Sequence, residues 1–277
     1  MAKQKLLLVD GSSLAFRAFF SILDLNRFKN SNGLHTNALY SFHRMFKSIL
    51  DSEKPTHVLV AWDAGKTTFR TEMYADYKGG RSKTPGEFIE QMPYFNVLLD
   101  AWGIPHYRLN QYEADDIIGT LARKGEEAGY EVVVLSGDKD LIQLADNNIT
   151  VKITTKGVTE LVEYTPEVIF EKYGLTPEQI IDMKGLMGDS SDNYPGVTKV
   201  GEKTAVKLLQ EFGSVEGIYE HVDEMKKSKL KENLINDKEL AFLSKKLARI
   251  NVKSPIEITL EDTLRKEQDV DALMSFY

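Results

Sequence analysis

The sequence contains no cysteine, only five histidines and no long apolar run near its N-terminus. The absence of cysteine excludes disulfides, thiolate metal sites and cysteine nucleophiles, and it suits a reducing cytosol. The first apolar run, at 6–9, ends at Asp10 and is too short for a signal peptide or a membrane span. We therefore expect a cytoplasmic protein with no membrane partner.

The overall charge also restricts the function. The 277 residues are 42% hydrophobic and 28% charged, which predicts a globular protein with a sizeable core in one large domain or two smaller ones. The net charge of −7 argues against a general nucleic-acid binder. Any contact with nucleic acid must therefore depend on local clusters of basic residues.

Three short apolar segments predict a buried parallel sheet. Each lacks the polar alternation of a half-exposed strand, as expected where both faces of a sheet are covered. They are KLLLVD (5–10), HVLVAWD (57–63) and EVVVLSGD (131–138). Helical patterns lie around and between them, at 37–50, 87–103 and 114–129. This alternation predicts an α/β domain with a doubly wound sheet. After about residue 165 the sequence instead predicts short helices separated by Gly and Pro signals.

Acidic residues collect where these segments end. Asp10, Asp63 and Asp138 close the three predicted strands, and ligands bind at that edge of open α/β sheets. The stretch YEADDIIG (112–119) adds three carboxylates at the start of a predicted helix on the same side. A single acid of this kind is usually a solvated or capping residue. So many in clusters are much harder to explain by chance.

The acids form two sets with no histidine or cysteine among them. The first set is Asp10, Asp63, Glu113, Asp115 and Asp116, and the second is Asp138, Asp140, Asp189 and Asp192. Oxygen ligands alone favour Mg²⁺, or Mn²⁺ in its place, over zinc. Nine carboxylates exceed what one magnesium ion needs, so we predict two ions, an arrangement used for phosphodiester chemistry. Without cations, we expect the first set to repel itself and disfavour the fold.

The stretch GVTKVGEKTAVKLL (196–209) predicts a phosphate-binding turn. Two glycines flank a tight turn, and a helix opens at about Glu202. This pattern is typical of a helix–hairpin–helix, whose backbone N–H groups and helix N-terminus can hold a phosphate. Lys199, Lys203 and Lys207 add positive charge. An ordinary helical hairpin with glycine C-caps remains an alternative.

A basic segment lies at 63–85. From 64 to 85 it has five basic and two acidic residues, with Phe69, Tyr74 and Tyr77 among them. Basic residues interleaved with aromatics suit a surface that tracks a single strand and stacks its bases. We therefore expect Lys66, Arg70 and Tyr77 to contact DNA, although a solvated loop is an alternative.

Six motifs occur in order along nearly the whole chain: VDGSSLAFRAFF, AWDAGKTTFR, YKGGR, YEADDIIG, SGDKDLIQL and MGDSSDNYPGVTKVGEKTA. Together they resemble the flap endonuclease family, in particular the 5′-nuclease domains that precede bacterial DNA polymerases. The resemblance implies a PIN-like nuclease core with a helical arch over 1–170. It implies a helix–three-turn–helix (H3TH) DNA-binding region and a C-terminal segment over 171–277.

The resemblance also implies a function and residue roles. It implies a structure-specific 5′ nuclease of replication and repair that acts at 5′ flaps, nicks and RNA primers and leaves 5′-phosphates. The two acid sets would serve the first and second metal site. Lys78 and Arg81 would contact the scissile phosphate, and Arg17 another phosphate. The turn with Lys199, Gly201, Lys203 and Thr204 would bind duplex DNA with the help of K⁺. We expect a nucleoid-associated monomer joined to a polymerase domain.

Two other functions remain open at this point. A PIN-like ribonuclease would have the same acidic edge, although the helix–hairpin–helix argues against it. A DNA-structure-binding module without catalysis is the second alternative. The intact set of nine acids argues against it, because negative charge facing phosphate does not help a pure binder.

Overall fold

The computed structural model describes residues 3–155 and 160–277. Six strands form one sheet: β1 (Lys5–Asp10), β2 (His57–Trp62), β3 (His106–Arg108), β4 (Glu131–Ser136), β5 (Ile149–Thr154) and β6 (Leu161–Tyr164). Their order is β3-β2-β1-β4-β5-β6, and only β6 runs antiparallel to its neighbour. The three predicted strands are therefore the central ones, β2, β1 and β4.

Thirteen α-helices accompany the sheet in the described residues. The first six are α1 (Gly11–Phe20), α2 (Asn37–Glu53), α3 (Phe69–Met73), α4 (Gly86–Ile89), α5 (Met92–Ala101) and α6 (Ala114–Glu127). The other seven are α7 (Pro166–Tyr173), α8 (Pro177–Met187), α9 (Glu202–Phe212), α10 (Val215–His221), α11 (Lys229–Asn236), α12 (Lys238–Ala248) and α13 (Val270–Phe276). Short 3₁₀ turns lie at Leu25–Arg27, Lys139–Leu144, Val222–Glu224 and Glu261–Thr263.

The sheet is covered on both faces, which confirms the doubly wound prediction. Along β1, Leu6 and Leu8 belong to the hydrophobic cluster that includes α6 and the helices α7 to α12. Leu7 and Val9 belong to the opposite cluster, built with α1, α2 and α5. Side chains alternate between the faces of a strand, so a fully apolar strand serves two cores at once.

Two helical predictions differ from the structure. The pattern at 87–103 forms two helices, α4 and α5, because Pro93 lacks an amide hydrogen and fits only the first turn of a new helix. Within 64–85, all described, α3 is the only helix and has five residues. The basic segment is therefore mostly irregular chain.

The helical region begins with two proline-containing caps. Thr165 and Thr176 each accept a backbone hydrogen bond in the first turn of α7 and α8, with proline at the following position. The end of α12 returns to the sheet, where Gln143 donates to the Ala248 carbonyl over 2.9 Å. This packing places the loop after α8 beside the carboxyl edge of the sheet. Among the described residues, no helix is long and apolar enough to cross a membrane.

Candidate metal centre and DNA-binding face

The acids that end the central strands lie at one edge and are tied to it by hydrogen bonds. The Ser136 hydroxyl donates to the Asp10 carboxylate (2.7 Å) and accepts the Asp138 N–H (2.9 Å). The Asp63 carboxylate accepts the N–H of Ala114, the first residue of α6 (2.8 Å). Strand ends and a helix N-terminus thus bring these three carboxylates together, as the sequence predicts.

Burial makes two acids of the first set, Asp10 and Asp115, difficult to ionise. Burial and the charge of Asp63 raise the pKa of Asp10 to about 7. Burial and the charge of Asp10 raise the pKa of Asp115 well above its ordinary value, and Asp138 adds to the effect. Closely spaced carboxylates behave in this way until a cation joins them. The oxygen-only donors therefore fit a hard divalent cation.

Glu113 is held by three donors. It precedes α6, and its carboxylate accepts hydrogen bonds from the Arg70 guanidinium (2.5 Å) and the Tyr77 hydroxyl (3.2 Å). The Lys78 ammonium also contacts it. The side chain is buried, so these partners fix the direction in which the carboxylate points.

Asp116 is surrounded by hydrogen-bond donors. Its two oxygens accept both Arg70 Nη groups (2.8 Å each), the Glu113 N–H (3.1 Å) and the Asn251 N–H (2.9 Å). An ionised carboxylate offers about four acceptor positions, and all are used here. Asp116 thus faces a positive charge in this structure, and its role as a metal ligand stays a prediction.

A lysine that the sequence did not predict lies among the acids of the second set. Lys184 Nζ lies 2.9 Å from Asp140 Oδ1 and 2.5 Å from Asp189 Oδ2. Burial and the charge of Asp138 raise the pKa of Asp140 to about 7. Burial opposes ionisation of Asp189, but hydrogen bonds from Lys184 and Ser191 lower its pKa to about 2. One lysine thus compensates part of a larger negative charge.

The donors of the second set are carboxylate oxygens alone, which suit a hard divalent cation. Asp140 Oδ1 is buried, and its partner in this structure is the Lys184 ammonium, 2.9 Å away. Within residues 3–155 and 160–277, no group of three Asp, Glu or His side chains is close enough together to enclose an ion. The side chains of Lys78 and Lys184 lie among the acids.

The segment around Lys78 is docked on the loop after α8. The Lys78 N–H donates to the Asp192 carbonyl (2.7 Å), and Arg81 Nη2 donates to the Asp192 carboxylate (2.5 Å). Asn193 Nδ2 donates to the Asp76 carbonyl (2.7 Å). Lys78 therefore lies beside both acid sets, and Arg81 lies beside the second.

Two predicted DNA contacts are buried and cannot meet a nucleic acid as predicted. Arg70 is 2% exposed, and its guanidinium bonds to Asp116, Glu113 and two carbonyls. Tyr77 is 6% exposed and bonds to Glu113 and Asp192. These predictions are wrong, because both side chains hold acids in place inside the protein.

The other predicted DNA-binding residues lie at the surface or its margin. Arg17, on α1, donates to the Gly137 carbonyl (2.8 Å) next to Asp138. Lys66 is exposed in the loop after β2. Both residues therefore border the acidic edge.

The turn between α8 and α9 carries the glycines and lysines of the predicted phosphate site. Gly196 has φ +60°, and an added Cβ would lie 2.3 Å from the Gly188 nitrogen, so the turn requires glycine there. Gly201 caps α9, and Lys199, Gly201 and Lys203 are exposed, with Thr204 half-buried. The start of α9 thus lies at the surface beside two lysines.

Lys184 and Ser136 had little signal in the sequence. Lys184 is one of 35 basic residues and stands five positions before Asp189 in the last turn of α8. Ser136 is recognisable only as the last residue of a strand whose neighbour ends in aspartate. Position relative to the acids was the only usable signal in each case.

Two family models together match most of the chain. Residues 5–174 match "5′-3′ exonuclease, N-terminal resolvase-like domain", and residues 175–271 match "5′-3′ exonuclease, C-terminal SAM fold". The chain is 62% identical over 278 residues to DNA polymerase I of Lactococcus lactis subsp. lactis (strain IL1403), across 99% of this chain. It is 62% identical to DNA polymerase I of Streptococcus pneumoniae (strain ATCC BAA-255 / R6), across 100% of this chain. It spans 32% of the length of both relatives.

Solved structures with the same fold include proteins of bacteriophage T5. T5 5′-exonuclease with bound zinc superposes with a TM-score of 0.73 at 26% identity, covering 99% of this chain and 97% of that one. The T5 flap endonuclease, in a pseudo-enzyme-product complex with DNA and metal ions, gives 0.71 at 26% identity, covering 90% and 89%. The catalytic core of Rad2 shares the fold at 16% identity, with a TM-score of 0.64 over 99% and 86%. The chain thus belongs to the 5′-3′ exonuclease family and contains both its resolvase-like domain and its SAM fold.

Proposed function

We propose that this chain is a structure-specific 5′ nuclease that uses two Mg²⁺ ions, with Mn²⁺ as a substitute. Its substrates would be 5′ flaps, nicks and RNA primers on duplex DNA, and its products 5′-phosphates. One observation carries the proposal. Carboxylates from β1, β2, β4, the start of α6 and the loop after α8 meet at one edge, with Lys78 and Arg81 beside them.

The proposed first metal site consists of Asp10, Asp63, Glu113 and Asp115. The second consists of Asp138, Asp140, Asp189 and Asp192. The T5 relatives, solved with divalent ions, support this assignment. Divalent ions at such sites stabilise negative charge on a reacting phosphate and lower the pKa of water.

The chain's own residues would bind and orient the scissile phosphate. Lys78 and Arg81 donate hydrogen bonds to it and neutralise the charge that develops during cleavage. Arg17 holds a neighbouring phosphate, and Lys66 extends the basic margin. A charge acts most strongly where solvent is excluded, as it is around the Glu113 carboxylate that Lys78 contacts, whereas Arg81 is more exposed.

The turn with Lys199, Gly201, Lys203 and Thr204 would bind the duplex behind the cleavage site, with the help of K⁺. The division into a nuclease core (1–170) and a DNA-binding region (171–277) remains our proposal; the family models meet at 174–175. The polymerase relatives support a polymerase domain joined to this chain in the whole protein. We also propose a monomer that works at the nucleoid in the cytoplasm.

The direct test is cleavage of a labelled 5′-flap duplex with and without Mg²⁺. We expect 5′-phosphate products only with Mg²⁺. Asp138→Asn should abolish cleavage and leave flap binding nearly intact, since phosphate contacts position the substrate. Asp51→Asn, an exposed acid that pairs with Lys47, is the control and should cleave normally. Near-normal turnover by Asp138→Asn would contradict the metal assignment, and cleavage of single-stranded RNA in preference to the flap would favour a ribonuclease.

Lys78→Ala and Arg81→Ala should each lower kcat by about 10²-fold or more, with smaller changes in substrate affinity. Groups that act on transition-state charge show this signature. Single-turnover rates and binding constants on the same flap separate the two effects. Lys83→Ala, an exposed lysine of the same segment, is the matched control. A loss of affinity with unchanged kcat would make these residues DNA-holding groups only.

Lys203→Glu should weaken duplex binding and reduce its salt dependence. Losing one phosphate contact lowers the slope of log K against log salt by about 0.9. Lys47→Glu makes the same charge change on α2 and serves as the control. The slope comes from binding titrations at several salt concentrations. Equal salt slopes for Lys203→Glu and wild type would show that the hairpin is not part of the DNA-binding surface.

A further inference from the structure

We propose that Arg70 is a positioning residue that fixes the Glu113 carboxylate at the proposed first metal site and joins that site to the helical region. The proposal rests on the proposed function, because it assigns Glu113 a role in metal binding. Arg70 itself would touch neither metal nor substrate. It acts through the groups it holds.

The contacts of Arg70 are complete. A guanidinium has five N–H donors. Nε donates to the Leu247 carbonyl (2.9 Å), and Nη2 donates to the Arg249 carbonyl and to Asp116 (2.8 Å each). Nη1 donates to Asp116 (2.8 Å) and to Glu113 (2.5 Å). The Phe69 ring lies 4.5 Å from the guanidinium carbon. No donor is left for solvent or DNA.

The Arg70 guanidinium thus pairs with two buried carboxylates, Asp116 and Glu113, which have different roles. Asp116 is fully enclosed, and its bidentate pair with Arg70 holds the guanidinium plane. The second hydrogen of Nη1 then points at Glu113 Oε2, while the other oxygen, Oε1, faces Lys78. Asp116 therefore orients Arg70, and Arg70 orients Glu113.

The same side chain links two parts of the fold. Leu247 and Arg249 lie at the end of α12, more than 170 positions from Arg70 in sequence. The Asn251 N–H also reaches Asp116. The acids of the second set that follow α8 belong to this helical region, and α8 packs on α12. Arg70 therefore helps to set how the two acid sets face each other.

Lysine at position 70 tests this role because it keeps the positive charge but lacks the planar, forked guanidinium. A lysine ammonium has three donors and cannot hold a bidentate carboxylate, a third oxygen and two carbonyls together. In Arg70→Lys, Glu113 should lose its fixed orientation while Asp116 keeps a counter-charge. Partners that orient metal ligands typically contribute 10–100-fold to metal affinity.

The experiment is calorimetric titration of the full chain with Ca²⁺ alone, at a temperature where far-UV circular dichroism shows each variant folded. The variants are Arg70→Lys, Asp116→Asn and the double variant. Arg123→Lys is the matched control, since Arg123 also pairs with acids, Glu126 and Asp146, but away from the site. We expect Arg70→Lys and Asp116→Asn each to raise the Ca²⁺ Kd by about tenfold or more. The Ca²⁺ Kd of the double variant should be no higher than that of the single variant that binds more weakly. Both substitutions would disturb the same chain of contacts from Asp116 through Arg70 to Glu113. Arg123→Lys should stay within about twofold of wild type.

The outcomes separate the two proposals. Wild-type Ca²⁺ affinity in folded Arg70→Lys would overturn the role of Arg70 and leave the nuclease proposal standing. Additive losses in the double variant would instead make Asp116 a ligand in its own right and would also overturn it. If Arg70→Lys does not fold, Asp116→Asn carries the comparison, because it keeps the side-chain volume. If neither folds, Arg70 serves stability alone and the proposal fails. No Ca²⁺ binding by wild type would contradict the metal-dependent function itself.

Discussion

Repulsion among buried carboxylates at the carboxyl edge of the sheet is the constraint on which the rest of this structure depends. Each such charge costs free energy to bury, and each neighbour adds to that cost. The chain offsets the cost with four basic side chains. Arg70 compensates Asp116 and Glu113, and Lys78 contacts Glu113. Lys184 lies between Asp140 and Asp189, and Arg81 pairs with Asp192. These cations are fewer than the acids, so the remaining negative charge is available to divalent ions.

The fold explains why the acids cannot relax away from one another. Asp10 ends β1, Asp138 follows the neighbouring parallel strand β4, and hydrogen bonds through Ser136 hold both. Asp63 is held by the first amide of α6. The helical region closes the arrangement through the Arg70 contacts and the loop after α8. A site built from a rigid edge and a docked loop keeps its charges in place at a cost in stability, as expected where a site serves function.

The sequence predicts this arrangement in part. The strands β1, β2 and β4 and the start of α9 were predictable because fully apolar runs and glycine caps are local signals. β3 was not, because it has three residues, and in β5 polar residues interrupt the apolar ones. The basic, aromatic appearance of 63–85 predicted a DNA surface for Arg70 and Tyr77. Their burial depends on carbonyls and acids far away in the sequence, which no local pattern reveals. For the same reason, neither the place of Lys184 among the acids nor the pairing of Asp116 with Arg70 could be predicted.

The central claim is that the unpaired acids of the first set disfavour the fold until divalent ions bind. The most direct measurement is the Tm of wild type and of Asp10→Asn, each in EDTA and in Mg²⁺. Ions at tenfold their Kd stabilise a protein by about 1.4 kcal/mol, which is about 2–3 °C for a chain of this size. Wild type should gain this much. Asp10→Asn should melt higher than wild type in EDTA, because one repelling charge is gone, and should gain less from Mg²⁺. A variant that melts lower than wild type in EDTA, or a wild type indifferent to Mg²⁺, would contradict the account.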